Sequence, residues 1–591
     1  MHGHPFAGPM QLWWGRSEQP DQPRNLFYEQ GRTPPPDDMF RAGGRITDAA
    51  CVKRDELHAL MRNLTLRLNN LVASPANASI PSGYTYLLQF IAHDMVDSVP
   101  SIGMHGSEIS LGARNVRSAP LLLETLYGRG PDEDPQAYEF SDDQELAGLI
   151  PRTHLRVGPR AGPIEGVEVP PGQNPYCPFR DIARNTQQSI QGASRGGGAG
   201  LPASGTLLTE AMLADPRNDS HALVSQLTVL FQLLHNHVLS LVEGATAEIA
   251  TSERFPPREV AYRRFHCART IVTLIYRNII EKDVLRQILD EGVHSRYVVE
   301  GMEPLDPQGS IPVEFTFGAF RFGHAMVREA YQVNSEFPEQ RTSAALDLSA
   351  SLAHRRQLPV KEDWCVDWAR FFENSLGISP NSSLLLQPRY TAVLATRSYL
   401  WPAKVPNVDV PGLMYRDLLS CAFAGVLSVP ALIKRARDRG FDEVEKFEDL
   451  EPRLRDWLRS DGISADDAET LAKDPPLSFF VLFEAARIGR SDETSKGGKC
   501  LGPLGSIIVA EGICGAMRNH PLRIDGSSLK ERIQNCGQSL FDITSPERDS
   551  VREAVSKALS KIDEIEKMSE LLEYMARANI FALNTQRTES A

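Results

Sequence analysis

Gln89 and His93 stand four residues apart within Tyr84–Pro100, YTYLLQFIAHDMVDSVP. In a helix that spacing sends both side chains from one face. Their neighbours Leu87, Leu88, Phe90 and Ile91 are apolar. The imidazole is therefore either satisfied inside a core or works as a base in a dry pocket. Further on, Asp215-Pro216-Arg217-Asn218-Asp219 stands before a long apolar segment. A cation at a helix start gains nothing from the helix dipole, so Arg217 is either the salt-bridge partner of Asp215 or Asp219, or is aimed at a ligand. A third segment, Phe315–His324, packs aromatics and two glycines ahead of a terminal histidine. Glycines and a ring of phenylalanines around His324 let a flat apolar ligand approach closely, an arrangement suited to an axial ligand of haem; a buried structural histidine is the other reading.

Helices must position these groups. Helical periodicity runs over 49–72 and 84–97, and helix-length segments with one apolar face cover 222–243, 258–290, 317–334, 365–376, 412–437, 478–488 and 503–517. Strand signals are few and short, Tyr297-Val298-Val299 among them, and no period of 20–50 residues repeats. Residues 101–118, 128–145, 157–178 and the glycine run at 196–200 are rich in Gly, Pro and acids, the composition of long loops, which in a compact fold are usually functional. Leu501-Gly502-Pro503-Leu504-Gly505 opens a helix; it lacks the spacing of a nucleotide loop and follows no strand. From Pro546, apolar residues from Val551 to Met575 recur every three or four positions, which predicts one continuous amphipathic helix, packed on its own domain or forming a self-association seam.

The composition sets limits on partners. A hydrophobic fraction of 41% with 24% charged residues is that of a globular protein. The net charge of −13 argues against nucleic acid or anionic lipid as the main partner. Eight cysteines are scattered without a CxxC pair, the pattern of reduced thiols. No signal peptide is visible and no uncharged apolar run reaches the roughly 18–20 residues of a membrane span. A cytoplasmic or non-classically secreted protein is therefore expected, with no transmembrane segment.

The ordered set Gln89-Phe90-Ile91-Ala92-His93-Asp94, Asp215–Asp219, Leu274-Ile275-Tyr276-Arg277, Phe320–His324 and Gly498–Gly505 resembles the animal-type haem peroxidases of the peroxidase–cyclooxygenase superfamily, most closely bacterial and fungal members. The resemblance implies non-covalent haem b with His324 as the proximal ligand. It makes His93 the general base and then acid toward H2O2, Arg217 the cation that stabilises charge on the breaking peroxide, and Gln89 the holder of a distal water or small anion. Arg416-Asp417-Leu418-Leu419 matches a run in which family members usually place Asn where Asp417 stands; Asp417 would bond the proximal imidazole, and Arg321 would pair with a haem propionate.

Departures from the family pattern carry information too. Ala92 and Ser220 occupy the positions of two carboxylates that mammalian members esterify to haem, so neither ester can form. Asp94 falls on a calcium ligand, with Ser118 and Glu124 as further oxygens, while Leu122 stands where a carboxylate is expected between them. Arg321 stands where fatty-acid oxygenases carry a radical-bearing tyrosine. The resemblance thus implies a mainly α chain with long loops and few short strands: an extended arm over 1–45, a single large haem-peroxidase-like domain over 46–545 and a C-terminal amphipathic helix over 546–591. The implied activity is oxidation of a small electron donor, organic, halide or pseudohalide, by H2O2 through an oxoferryl intermediate. The alternatives are a haem-dependent fatty-acid oxygenase and a non-catalytic haem-binding scaffold. His221, four residues after Arg217, is placed to face the haem edge; His235, His237 and His266 read as structural or surface residues.

Overall fold

The computed structural model describes residues 48–96, 98–99, 114–115, 117, 120–139, 152–160, 180–187, 208–247, 256–305, 311–347, 364–396, 412–424, 426–459, 463–488, 497–518, 522, 528–539, 545–578 and 580. The arm expected over 1–45 and Ser118 lie outside them. The architecture is mainly α, and among the described residues the strands form two-stranded antiparallel pairs such as Ala76–Pro81 with Ser382–Leu384.

Three helices form the centre. Gly83–Met95 lies against Ala222–Ala245, which packs in turn on Pro257–Ile279. The joint is aromatic: the Phe90 ring stacks on Phe231 at 5.1 Å and meets Tyr276 edge-on at 6.1 Å. Such offset and edge contacts add to the area these rings remove from water. His221 caps the Ala222–Ala245 helix, its Nδ1 accepting from the Val224 N–H at 3.3 Å. That helix is long and apolar enough to cross a membrane by length and composition, against the expectation from sequence, but 83% of its most apolar window is buried inside the protein. It is the core helix of the fold.

Gly83 opens the first of these helices under tight constraint. Its N–H donates to Phe371 O at 2.8 Å, and a Cβ there would sit 2.6 Å from the Phe372 ring and overlap Phe371 O. Only a residue without a side chain lets the two segments come so close.

Several boundaries differ from the periodicity. The 317–334 helix is instead a π turn, Glu314–Gly318, followed by a 3-10 segment, Ala319–Met326. The 365–376 helix shrinks to a 3-10 turn, Trp368–Arg370, because Asp367 caps Ala369 and the chain then turns under Gly83. The 412–437 segment divides into Leu413–Phe423 and Val429–Asp438, the second capped by Ser428 with Pro430 in its first turn. The strand expected at Tyr297-Val298-Val299 is the end of a π turn, Ser295–Val299.

The C-terminal helix is also not continuous. It is two helices, Ser545–Ala558 and Met568–Arg577, and the apolar periodicity carries across the break at Leu559, Ile562 and Ile565. Asp283 stops and re-aims the chain there by accepting the Met568 N–H at 2.9 Å. Val555, Leu559, Ile562, Met568 and Leu571 are all buried in the main core, so of the two uses open to this segment the structure takes packing on its own chain. The described cysteines Cys267, Cys365, Cys421, Cys500 and Cys514 are buried and form no disulfide.

Candidate active site

Two histidines stand on different elements, and each has its Nδ1 tied down. His93, near the end of the Gly83–Met95 helix, holds Asn218 Oδ1 at 2.9 Å. Asn218 is buried and donates through Nδ2 to Thr125 O at 3.3 Å, so its Oδ1 is the acceptor and His93 Nδ1 carries the proton. The remaining lone pair of the imidazole is on Nε2. Burial is the first cause that holds His93 down to about 4, followed by the positive charge of Arg217. A neutral imidazole with Nε2 bare at neutral pH is what a proton acceptor requires.

Asn218 and Arg217 come from one 3-10 turn, Pro216–Asp219. Pro216 sits in its first turn, where no N–H is missed, and Asp215 caps it by accepting the Arg217 N–H at 2.9 Å. Of the two readings open to Arg217, the structure takes the salt bridge. Its Nη2 donates to Asp215 Oδ2 at 2.7 Å and to His93 O at 2.6 Å, and its Nη1 to Val96 O at 2.6 Å. Those two carbonyls lie at the end of the His93 helix, where a cation is stabilised. Arg117, to which no role was assigned from sequence, does the same from the other side, donating to His93 O at 2.9 Å and to Asp215. Asp215 stays ionised between them, lowered to about 2 by the two arginines against its burial.

Gln89 shares the face with His93, as its spacing implied, but its amide is already engaged. Its Nε2 donates to Ser220 Oγ at 3.1 Å, and its Oε1 meets His221 Nε2 at 2.8 Å. Because His221 Nδ1 accepts the Val224 N–H, the His221 proton must be on Nε2. Burial then lowers that imidazole to about 3, which keeps it neutral. His221 thus orients Gln89.

The second histidine, His324, lies on the 3-10 segment Ala319–Met326, packed on the Leu477–Ile488 helix. Its Nδ1 donates to Asp417 Oδ2 at 2.6 Å, as the Arg416–Leu419 run implied, which leaves Nε2 as the lone pair. Asp417 is 1% exposed and His324 33%. The carboxylate is held down to about 2 by His324 and Arg321 against its burial. Arg321 Nη1 donates to Asp417 Oδ1 at 2.6 Å, a second strong donor for a buried carboxylate. Tyr390, which carried no signal in the sequence, donates to Asp417 Oδ2 at 2.8 Å.

The residues present fit haem at His324. The imidazole has a bare Nε2 and an anchored Nδ1, the usual arrangement of a metal-bound histidine. Beside it, a Cβ built on Gly323 would meet nothing within 4 Å, so a flat group can approach there. Phe320 stacks on Phe315 at 4.4 Å to form the neighbouring apolar wall. Gln89, Ala92, His93, Arg217, Gly323 and His324 are all partly exposed while most of their helical neighbours are buried.

At the position matched to calcium, the described residues are held by hydrogen bonds, and Ser118 lies outside them. Asp94 Oδ2 and Oδ1 accept the N–H groups of Leu123 at 2.9 Å and Thr125 at 3.1 Å, and burial raises its carboxyl to about 6. Leu121 and Leu123 take left-handed φ values of 58° and 56°, a conformation L residues rarely adopt. Arg277 Nε holds Leu121 O at 2.8 Å. Hydrogen bonds thus organise the loop that the resemblance assigns to a cation. Among the described residues no group of three or more His, Cys, Asp or Glu side chains could hold a metal ion.

No family model and no curated protein matches the sequence. Solved structures do. Peroxidase A from Dictyostelium discoideum superposes with a TM-score of 0.52 at 13% identity, covering 89% of this chain and 90% of its own. The fatty acid alpha-dioxygenase of Oryza sativa superposes with a TM-score of 0.52 at 11% identity, covering 91% of this chain and 82% of its own. Both are oxidoreductases, and with these matches over nearly its whole length the chain has the mainly α, haem-peroxidase-like fold that the resemblance implied.

Proposed function

We propose that the protein is a haem-dependent peroxidase that reduces H2O2 and oxidises small organic donors or halide and pseudohalide ions. The observation that carries this is the pairing of two anchored histidines with different partners. His93 is fixed by a neutral amide and kept neutral, as a base must be; His324 is fixed by an ionised carboxylate, as an iron ligand is.

Haem, when bound, supplies the iron that takes up the two oxidising equivalents of the peroxide. His324 would hold it through Nε2. His93 Nε2 takes the proton from one peroxide oxygen and returns it to the oxygen that leaves as water, a transfer typically worth about 10²–10⁴ in rate. Asn218 keeps the His93 proton on Nδ1, so Nε2 is the acceptor throughout. Arg217 and Arg117 brace the backbone carbonyl of His93, and burial, helped by the Arg217 charge, keeps the imidazole unprotonated before peroxide arrives. Gln89 is fixed by His221 and Ser220, and its second Nε2 hydrogen would orient a water or small anion on this face.

A fatty-acid oxygenase is the second reading, supported by the likeness to the rice enzyme; Arg321 in place of a tyrosine counts against it. One experiment separates them. Haem-loaded protein is given H2O2 with a phenolic donor, and separately linoleate under O2 without peroxide. Peroxide-dependent oxidation that falls by about 10²–10⁴ in His93→Ala is expected, together with release of free haem in acidified acetone, since Ala92 and Ser220 offer no ester. Oxygen uptake with linoleate and no peroxide would sink the peroxidase reading.

A further inference from the structure

The Asp417 carboxylate is shared among three donors. Its Oδ2 accepts both His324 Nδ1 at 2.6 Å and the Tyr390 hydroxyl at 2.8 Å, while Oδ1 accepts Arg321 Nη1 at 2.6 Å. Tyr390 is buried and its ring lies edge-on to the His324 imidazole at 5.7 Å between centroids. A carboxylate bonded only to an imidazole N–H concentrates its charge on that bond and polarises the ring toward imidazolate. Here a guanidinium and a phenol compete for the same charge, the phenol on the same oxygen.

We propose that Tyr390 is a positioning residue that, beside Arg321, lowers the electron donation of His324 to a bound haem by drawing charge from Asp417. This rests on the haem reading of His324. Charge-assisted bonds are roughly twice as strong as neutral ones, so Arg321 is the larger of the two controls. Removing either donor leaves more charge on the Asp417–His324 bond, strengthens the ligand and favours ferric over ferrous iron. Replacing the carboxylate does the reverse. Mere anchors of the Leu413–Phe423 helix would not move the iron in opposite directions.

The test uses the full chain loaded with haem: wild type, Tyr390→Phe, Arg321→Gln, Arg321→Lys and Asp417→Asn. Two quantities are measured, the ferric/ferrous midpoint potential and the iron–histidine stretching frequency of the ferrous protein. Tyr390→Phe and Arg321→Gln should lower the potential and raise the frequency, on the order of tenfold in the ferric/ferrous equilibrium, or about 59 mV for one electron. Arg321→Lys should shift less than Arg321→Gln, and Asp417→Asn should raise the potential. Tyr390→Phe keeps the ring and so keeps the fold testable if the arginine variants unfold. Unmoved potentials in Tyr390→Phe, or a shift of the same sign in Asp417→Asn, would overturn the inference while haem ligation stands. Haem uptake with an unchanged spectrum in His324→Ala would overturn the haem reading and the inference together.

Discussion

At the scale of single residues the site is governed by which nitrogen of each histidine carries the proton. His93, His221 and His324 each have Nδ1 engaged, by a side-chain amide, a backbone N–H and a carboxylate. The consequence differs with the partner: an acceptor at Nδ1 leaves Nε2 bare in His93 and His324, while a donor at Nδ1 puts the proton on Nε2 of His221. On the proposed function, Asn218 is therefore as consequential as the base it holds. In Asn218→Leu the His93 ring loses its tautomer lock and Thr125 O loses a donor. Loss of such a supporting bond typically costs about 10–100-fold in activity, and we expect that fall in the peroxide step with the haem spectrum unchanged. Asn218→Asp should recover part of the rate, because a carboxylate also accepts from Nδ1; stopped-flow mixing with H2O2 reads both. A fall in Asn218→Leu with no recovery in Asn218→Asp would assign Asn218 to packing alone.

At the scale of elements, buried carboxylates join segments far apart in sequence. Tyr84, in the first turn of the Gly83–Met95 helix, donates to both oxygens of Asp283 at 2.8 Å, and Asp283 also accepts the N–H of Met568. One side chain thus ties the His93 helix to the start of the last helix. Asp283→Ala leaves a buried phenol and a buried N–H without an acceptor. Hydrogen bonds to a charged group contribute about 1.5–3 kcal/mol, so a loss of about 3 kcal/mol is expected in urea unfolding; Tyr84→Phe should cost about half as much. This join also shows what could and could not be read from sequence. The apolar face from Val551 to Met575 was legible, because burial against a core imposes helical spacing whether or not the helix continues. The break was not, because its cause is Asp283, about 285 positions away. The same holds at the site. His93, Arg217, His324 and Asp417 were readable from ordered motifs, each short and local. Arg117 and Tyr390 reach the site only through the fold, and nothing local to Arg321 reveals that it also serves Asp417 as a second donor. The Ala319–Met326 segment misled the periodicity because a π turn ahead of it shifts the phase of the helix.

At the scale of the whole molecule, buried titratable groups pull stability in opposite directions with pH. Burial holds His93 down to about 4, and His221 and His235 to about 3. The unfolded chain takes up these protons near 6.5, the folded chain only below 4, so this stability is present above pH 6.5 and is lost as pH falls toward 3. Burial pushes Asp94 up to about 6 and Asp367 and Glu484 up to about 7. For them the folded chain binds protons first, so their contribution is complete below about pH 4 and is lost as pH rises through 7. The two sets offset between about pH 4.5 and 6.5. Below pH 4 the unfolded carboxylates are protonated as well, and the histidines act together with Asp215 and Asp417, both lowered to about 2. Urea midpoints should therefore be nearly flat from pH 4.5 to 6.5 and fall steeply below 4. Glu484 isolates the carboxylate contribution, since it accepts the N–H groups of Leu504 and Gly505 at 3.1 Å from a buried position. Glu484→Gln carries no charge to bury, so relative to wild type it should be less stable at pH 5 and recover ground as pH rises through 7. Parallel pH profiles for the two proteins would show that Glu484 titrates as an ordinary carboxylate and that burial does not set the alkaline limb.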